Sequence, residues 1–100
     1  MPKLPENCQT MVEVREGVDA TDRELIALLD KRFGYMRAAA RIKQSREAVR
    51  DEDRKASVIA AAVAEAEACG IPADVIADIW ERLVEGSIAY EFTEWDRIRD

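Results

Sequence analysis

From Thr10 to about Ser45 the apolar positions follow a seven-residue rhythm: Met11, Val14, Val18, Leu25, Leu28, Tyr35, Ala39 and Ile42. That spacing lines one stripe of a single long helix. Thr10, with Glu13 three residues on, carries the signature of a capping box at its start. No proline follows until Pro72, and the rhythm runs through Gly17 and Gly34 although both lower helix propensity locally. About 35 helical residues would extend roughly 50 Å at about 1.5 Å each. A lone small globule has no room for such a helix. The pattern therefore predicts that the stripe is buried against another chain or inside a helical bundle.

The stretch SREAVRDED has few apolar residues and reads as a connecting loop, with Asp51 or Asp53 capping a second helix. That helix is expected to run to about Cys69 and to bury Val58, Ile59, Ala62, Val63 and Ala66. Gly70 supplies a C-terminal stop and Pro72 a first-turn residue for a third helix reaching about Arg97. The third apolar face holds Ile76, Ile79, Trp80, Leu83, Val84, Ile88 and Trp95. The leader of residues 1–9 is polar, contains proline and is expected to be loosely ordered. The whole reads as one all-α domain over residues 1–100, with one long and two shorter helices.

Composition agrees: 48% hydrophobic and 36% charged residues, with 4 Gly and 3 Pro in 100 residues, favour an all-α chain. A monomer of this size buries a modest core, so self-association would help it. A net charge of -6 argues against a general nucleic-acid binder, which needs a basic surface. No segment reads as a signal peptide or membrane span, so a cytoplasmic location with no membrane partner is expected. Two cysteines far apart suggest neither a disulfide framework nor a metal site. The absence of His removes the commonest zinc ligand and general base.

Against this background the polar residues on the apolar faces stand out. Arg32 occupies a slot in the long helix where a Leu or Ile is expected. A buried guanidinium is costly without an anion, so Arg32 requires either an acidic partner or an anionic ligand. Lys43 points within roughly 20° of Arg32 and lies about 16 Å along the axis, so one small dianion could touch both. Arg15 lies about 25 Å from Arg32 and about 100° around the helix. It can share a small ligand with Arg32 only if it comes from a second, antiparallel protomer, which gives two equivalent shared sites in a two-fold dimer. On the third helix Ser87 and Glu91, four residues apart, continue the line of Trp80 and Val84. Arg54 opens the second helix just after Asp51, Glu52 and Asp53. Each residue also has an ordinary reading. Arg15 would be a solvated surface residue. Asp51 and Arg54 would be a cap and a surface ion pair. Arg32 would pair with Glu91, Ser87 would be a small packing residue, and Lys43 would reach out to solvent.

The segment VREGVDATDRELIALLDKRFGYMRAAARIK, the motif VRDEDR and the segment WERLVEGSIAYE together resemble the all-helical chorismate mutase family over about Val12 to Trp95. The resemblance implies an intertwined homodimer of three helices per chain, with two active sites that each draw on both protomers. It also implies a small dianionic substrate, no cofactor and no metal. By position, Arg15 would reach into the partner's site, and Arg32 and Arg54 would grip substrate carboxylates. Lys43 would contact the ether oxygen and a carboxylate, and Asp51 would lie near the ring hydroxyl. Ser87 would assist a carboxylate, and Glu91 would face the breaking ether bond. Many bacterial members carry Gln at the Glu91 position, and mutases commonly carry Glu where this chain has Lys55. The interval from Lys43 to Arg54 is one residue shorter than in typical bacterial mutases. That interval, the leader PENC and the aromatic tail with Tyr90 and Trp95 are similar to a neighbouring branch, the isochorismate pyruvate lyases of salicylate biosynthesis. VRDEDR is closer to the mutases of aromatic amino acid biosynthesis.

The family's leading activity is the pericyclic rearrangement of chorismate to prephenate, which requires no nucleophile, metal or cofactor. Cations would hold the two carboxylates while donors stabilise charge on the ether oxygen. Lys43 is the natural donor, and Glu91 donates only when protonated. Cleavage of isochorismate to salicylate and pyruvate is the alternative. A non-catalytic helical regulatory or interaction module is the third reading.

Overall fold

The computed structural model describes all residues from Met1 to Asp100. It contains three α-helices: α1 (Met11–Ile42), α2 (Glu52–Cys69) and α3 (Ala73–Arg99), with short 3-10 turns at Pro5–Asn7 and Arg46–Val49. The helix boundaries expected from sequence hold within about three residues. The main departure is SREAVRDED, expected as a plain loop, which folds its Arg46–Val49 part into a 3-10 turn and buries Val49.

Local chemistry explains the ends. The Glu13 side chain accepts hydrogen bonds from the backbone N–H groups of Gln9 and Thr10, and Thr10 Oγ1 accepts one from the Glu13 N–H at 3.2 Å. These bonds satisfy donors that a helix start otherwise leaves unpaired. Asp51 caps α2 by accepting from the Arg54 N–H at 3.0 Å. Gly70 ends α2 in the left-handed region at φ 74°, where a side chain would be strained. There the Gly70 N–H reaches Glu67 O and the Ile71 N–H reaches Ala66 O. Pro72 sits at the cap of α3, one position before its first turn.

The chain divides into two compact units, Met1–Gly34 and Tyr35–Asp100. In the first, the leader folds into the Pro5–Asn7 turn and Lys3 pairs with Glu13. The apolar stripe of α1 is not buried by its own chain: Met11, Val14, Val18, Leu25 and Leu28 are all exposed, Leu28 at 62%. Arg32 is only half-buried.

The second unit packs α2 against α3, and α3 against the Arg46–Val49 turn. Its buried positions are Ala40, Val49, Ala66, Val84, Ser87 and Glu91. Of the apolar positions expected to be covered on α3, Ile79 is exposed. An ion-pair web ties its surface together. Arg50 and Lys55 both bind Glu85, and Lys55 also binds Glu81 at 2.8 Å. The two cations hold the Glu85 carboxyl down to about 2, Arg50 contributing most. Glu81 and Glu85 in turn raise the Lys55 ammonium above its ordinary value.

Candidate active site

The α3 sequence places Val84, Ser87 and Glu91 three and four residues apart, which stacks them on one helical face. That face is buried, and Glu91 is 4% exposed. A carboxylate so enclosed loses its water and is costly unless a cation and donors replace it. Lys43, just past the end of α1, supplies them: Nζ donates to Glu91 Oε2 at 2.7 Å. Nζ also lies 3.5 Å from Val49 O, at the long limit of a hydrogen bond. Its side chain remains 30% exposed, whereas that of its acidic partner is 5% exposed. Lys43, read from sequence as free to reach out to solvent, is a partner of Glu91 in the structure. One turn earlier Ser87 Oγ donates to Leu83 O at 2.7 Å.

The other candidates are placed as follows. Asp51 is exposed and holds the α2 cap. The Arg54 side chain lines a cavity of about 450 Å³ between α2 and α3, together with Val58, Ala62, Ile76 and Trp80. Arg15 (exposed) and Arg32 (half-buried) belong to the Met1–Gly34 unit. The Tyr35–Asp100 unit thus brings Lys43 and Glu91 into direct contact, sets Ser87 one turn away and puts Arg54 at the start of α2. No three Cys, Asp or Glu side chains come together as metal ligands. No helix is long and apolar enough to cross a membrane.

Several contacts around this pair escaped the sequence reading. The Trp95 indole N–H donates to Lys43 O at 3.0 Å, and Arg99 donates to both Lys43 O and Ala40 O. Arg46 forms a two-point pair with Asp96 and lies 4.5 Å over the Phe92 ring. Arg37 donates to Tyr90 Oη at 2.9 Å. Lys55, marked in the sequence only as a departure, is engaged by Glu81 and Glu85. The signal for that pairing was present, because acids four residues apart on α3 present two carboxylates on one face.

A charged, buried donor–acceptor pair on an all-helical chain without strands agrees with the resemblance carried by the sequence. Residues 14–92 match the family described as chorismate mutase type II, and the chain belongs to that family. Among its relatives is the isochorismate pyruvate lyase of Pseudomonas aeruginosa, 28% identical over 97 residues that span 97% of this chain and 96% of the relative. The T-protein of Haemophilus influenzae is 32% identical over 84 residues, covering 83% of this chain but 22% of that longer protein.

Proposed function

We propose that this chain is a cytoplasmic enzyme that rearranges chorismate to prephenate. The observation that carries the reading is the Lys43–Glu91 pair: a buried carboxyl held 2.7 Å from the ammonium of a half-buried lysine. In the reaction the ether carbon–oxygen bond breaks while the enolpyruvyl methylene bonds to the ring. Charge builds on the ether oxygen, where Lys43 Nζ donates. Glu91, in contact with Lys43, faces the same breaking bond. Arg32 and Arg54 hold the two carboxylates, Ser87 assists one of them, and Asp51 meets the ring hydroxyl. Freezing the enolpyruvyl group over the ring removes much of the entropic barrier.

Arg15 acts in the site of a second copy, which makes the working unit a homodimer. The exposed stripe supports this, because Leu25, Leu28, Tyr35 and Ile42 leave a large apolar surface that water does not favour. The substrate is a small dianion held by cations, and the reaction uses no cofactor. Neither nucleic acid nor membrane takes part.

A second reading is cleavage of isochorismate to salicylate and pyruvate. It is favoured by the end-to-end similarity to a lyase. The same cations would hold the substrate while the ether bond breaks and a ring hydrogen moves to the enolpyruvyl methylene. Purified protein given each substrate separately distinguishes the readings. Prephenate from chorismate is expected. Salicylate and pyruvate from isochorismate, with no prephenate from chorismate, would select the lyase. Turnover of neither would leave the non-catalytic module.

A further inference from the structure

We propose that Trp95 and Arg99 are positioning residues that set Lys43 for catalysis by clamping the end of α1. The inference rests on the catalytic role of Lys43 argued above and deepens it. An α-helix leaves its last four carbonyls without partners, and its C-terminal end carries partial negative charge. At the end of α1 two of these carbonyls are served by one turn of α3. Arg99 donates to Ala40 O at 2.9 Å and to Lys43 O at 2.7 Å, and the Trp95 indole N–H donates to the same Lys43 oxygen at 3.0 Å. Arg99 is itself held 4.1 Å over the Trp95 ring. Ala40 is fully buried, so water is a poor substitute for the guanidinium there.

The geometry extends to the reacting side chain. Glu91, Trp95 and Arg99 follow at four-residue steps, so they share one face of α3. Glu91 holds the Lys43 ammonium while the two residues below it hold the Lys43 carbonyl. The Lys43 N–H is fixed as well, by Ala39 O at 2.9 Å. Lys43 follows the last α1 residue, where a helix normally frays. The stripe converts that fraying end into a fixed mount. Placement of this kind matters because a donor misplaced by about 1 Å can cost up to about a hundredfold in rate.

The test compares Trp95→Phe, which keeps an aromatic ring and removes the indole N–H, with Arg99→Ala, Arg99→Lys and the control Arg97→Ala. Arg97 pairs only locally with Glu94 on the same helix end. Steady-state kcat and KM are measured on whichever substrate the wild type turns over. Amide hydrogen exchange at Lys43 is measured in parallel. Arg99→Ala and Trp95→Phe are expected to lower kcat about tenfold with KM moving less than about twofold, and to speed Lys43 exchange about tenfold. Arg99→Lys should recover part of kcat, and Arg97→Ala should stay within about twofold of wild type on both readouts. If Arg99→Ala does not stay folded, Trp95→Phe, which loses one hydrogen bond, decides the matter. Active variants with wild-type kcat, or a loss equal to that of Arg97→Ala, would overturn the proposal, and so would unchanged Lys43 exchange. A wild type inert on both substrates would instead overturn the functional reading, and the exchange measurement would still decide whether the clamp exists.

Discussion

The two units of this chain solve the same problem differently. Every buried residue lies in Tyr35–Asp100, and none lies in Met1–Gly34. The C-terminal unit packs two helices and a 3-10 turn, satisfies a buried carboxylate with Lys43, and ties its surface with Arg50, Lys55, Glu81 and Glu85. The N-terminal unit has a well-made cap at Thr10 and an apolar stripe that ends in water. Helix propensity and capping are enough to form such a helix, but most helical stability in proteins comes from packing the apolar face. The contrast teaches that capping and propensity shape α1 where the C-terminal unit relies on packing; under the proposed dimer a second copy covers the stripe, and Arg15 and Arg32 go with it.

The strongest way to break the comparison is a charge in the stripe. Leu28→Asp alters a side chain that is 62% exposed in the single chain. If nothing covers it, stability should move by no more than about 0.5 kcal/mol. If a two-fold dimer covers it, two leucines are lost at about 1.5–3 kcal/mol each, and dimer dissociation should rise by roughly 10²–10⁴-fold. Sedimentation equilibrium measures this directly, and the dimer result is expected. Lys43→Ala tests the other unit. It should lower kcat by about 10²–10³-fold, as loss of a donor to developing charge does, while circular dichroism remains helical.

Two smaller effects sharpen the picture. Glu91→Gln keeps the side-chain shape and supplies an N–H donor, so kcat is expected to stay within about tenfold of wild type, while Glu91→Ala should lose more. Equal kcat in the two variants would remove Glu91 from the mechanism. The mildest change is Glu85→Gln. The Glu85 carboxyl sits at about 2 in the folded chain, below the usual carboxylate value of 4.5, because Arg50 and Lys55 face it. A depressed carboxyl contributes stability that is present above the unfolded value and is lost as pH falls toward the folded one. Acid titration of the melting temperature from pH 5 to 2 should therefore be shallower in Glu85→Gln, by a small margin because the cluster is solvent-screened.

Much of this was legible beforehand. The three helices, the Thr10 and Asp51 caps and the Gly70 stop follow from local chemistry, which acts over a few residues and is written in order along the chain. The burial of Ser87 and Glu91 followed from their place on the α3 apolar face. The partner of Glu91 did not, because Arg32 and Lys43 share a helical face and periodicity cannot choose between them. Arg46–Asp96, Arg37–Tyr90 and the Arg99 clamp join residues 50 or more positions apart. Their side chains look like ordinary solvated charges until the fold brings their partners near. The α1 stripe, expected to be buried against another chain or inside a bundle, is exposed in the single chain: amphipathicity states that a face needs cover and leaves open what covers it.

The central claim is that Lys43 and Glu91 serve the rearrangement of chorismate. The most direct test gives the purified protein chorismate and isochorismate together at equal concentration and quantifies prephenate, salicylate and pyruvate over time. The account predicts that prephenate accumulates first and in excess, and that Lys43→Ala slows its formation about 10²–10³-fold. Salicylate and pyruvate forming in equal amounts without prephenate, or no product from either substrate, would contradict it.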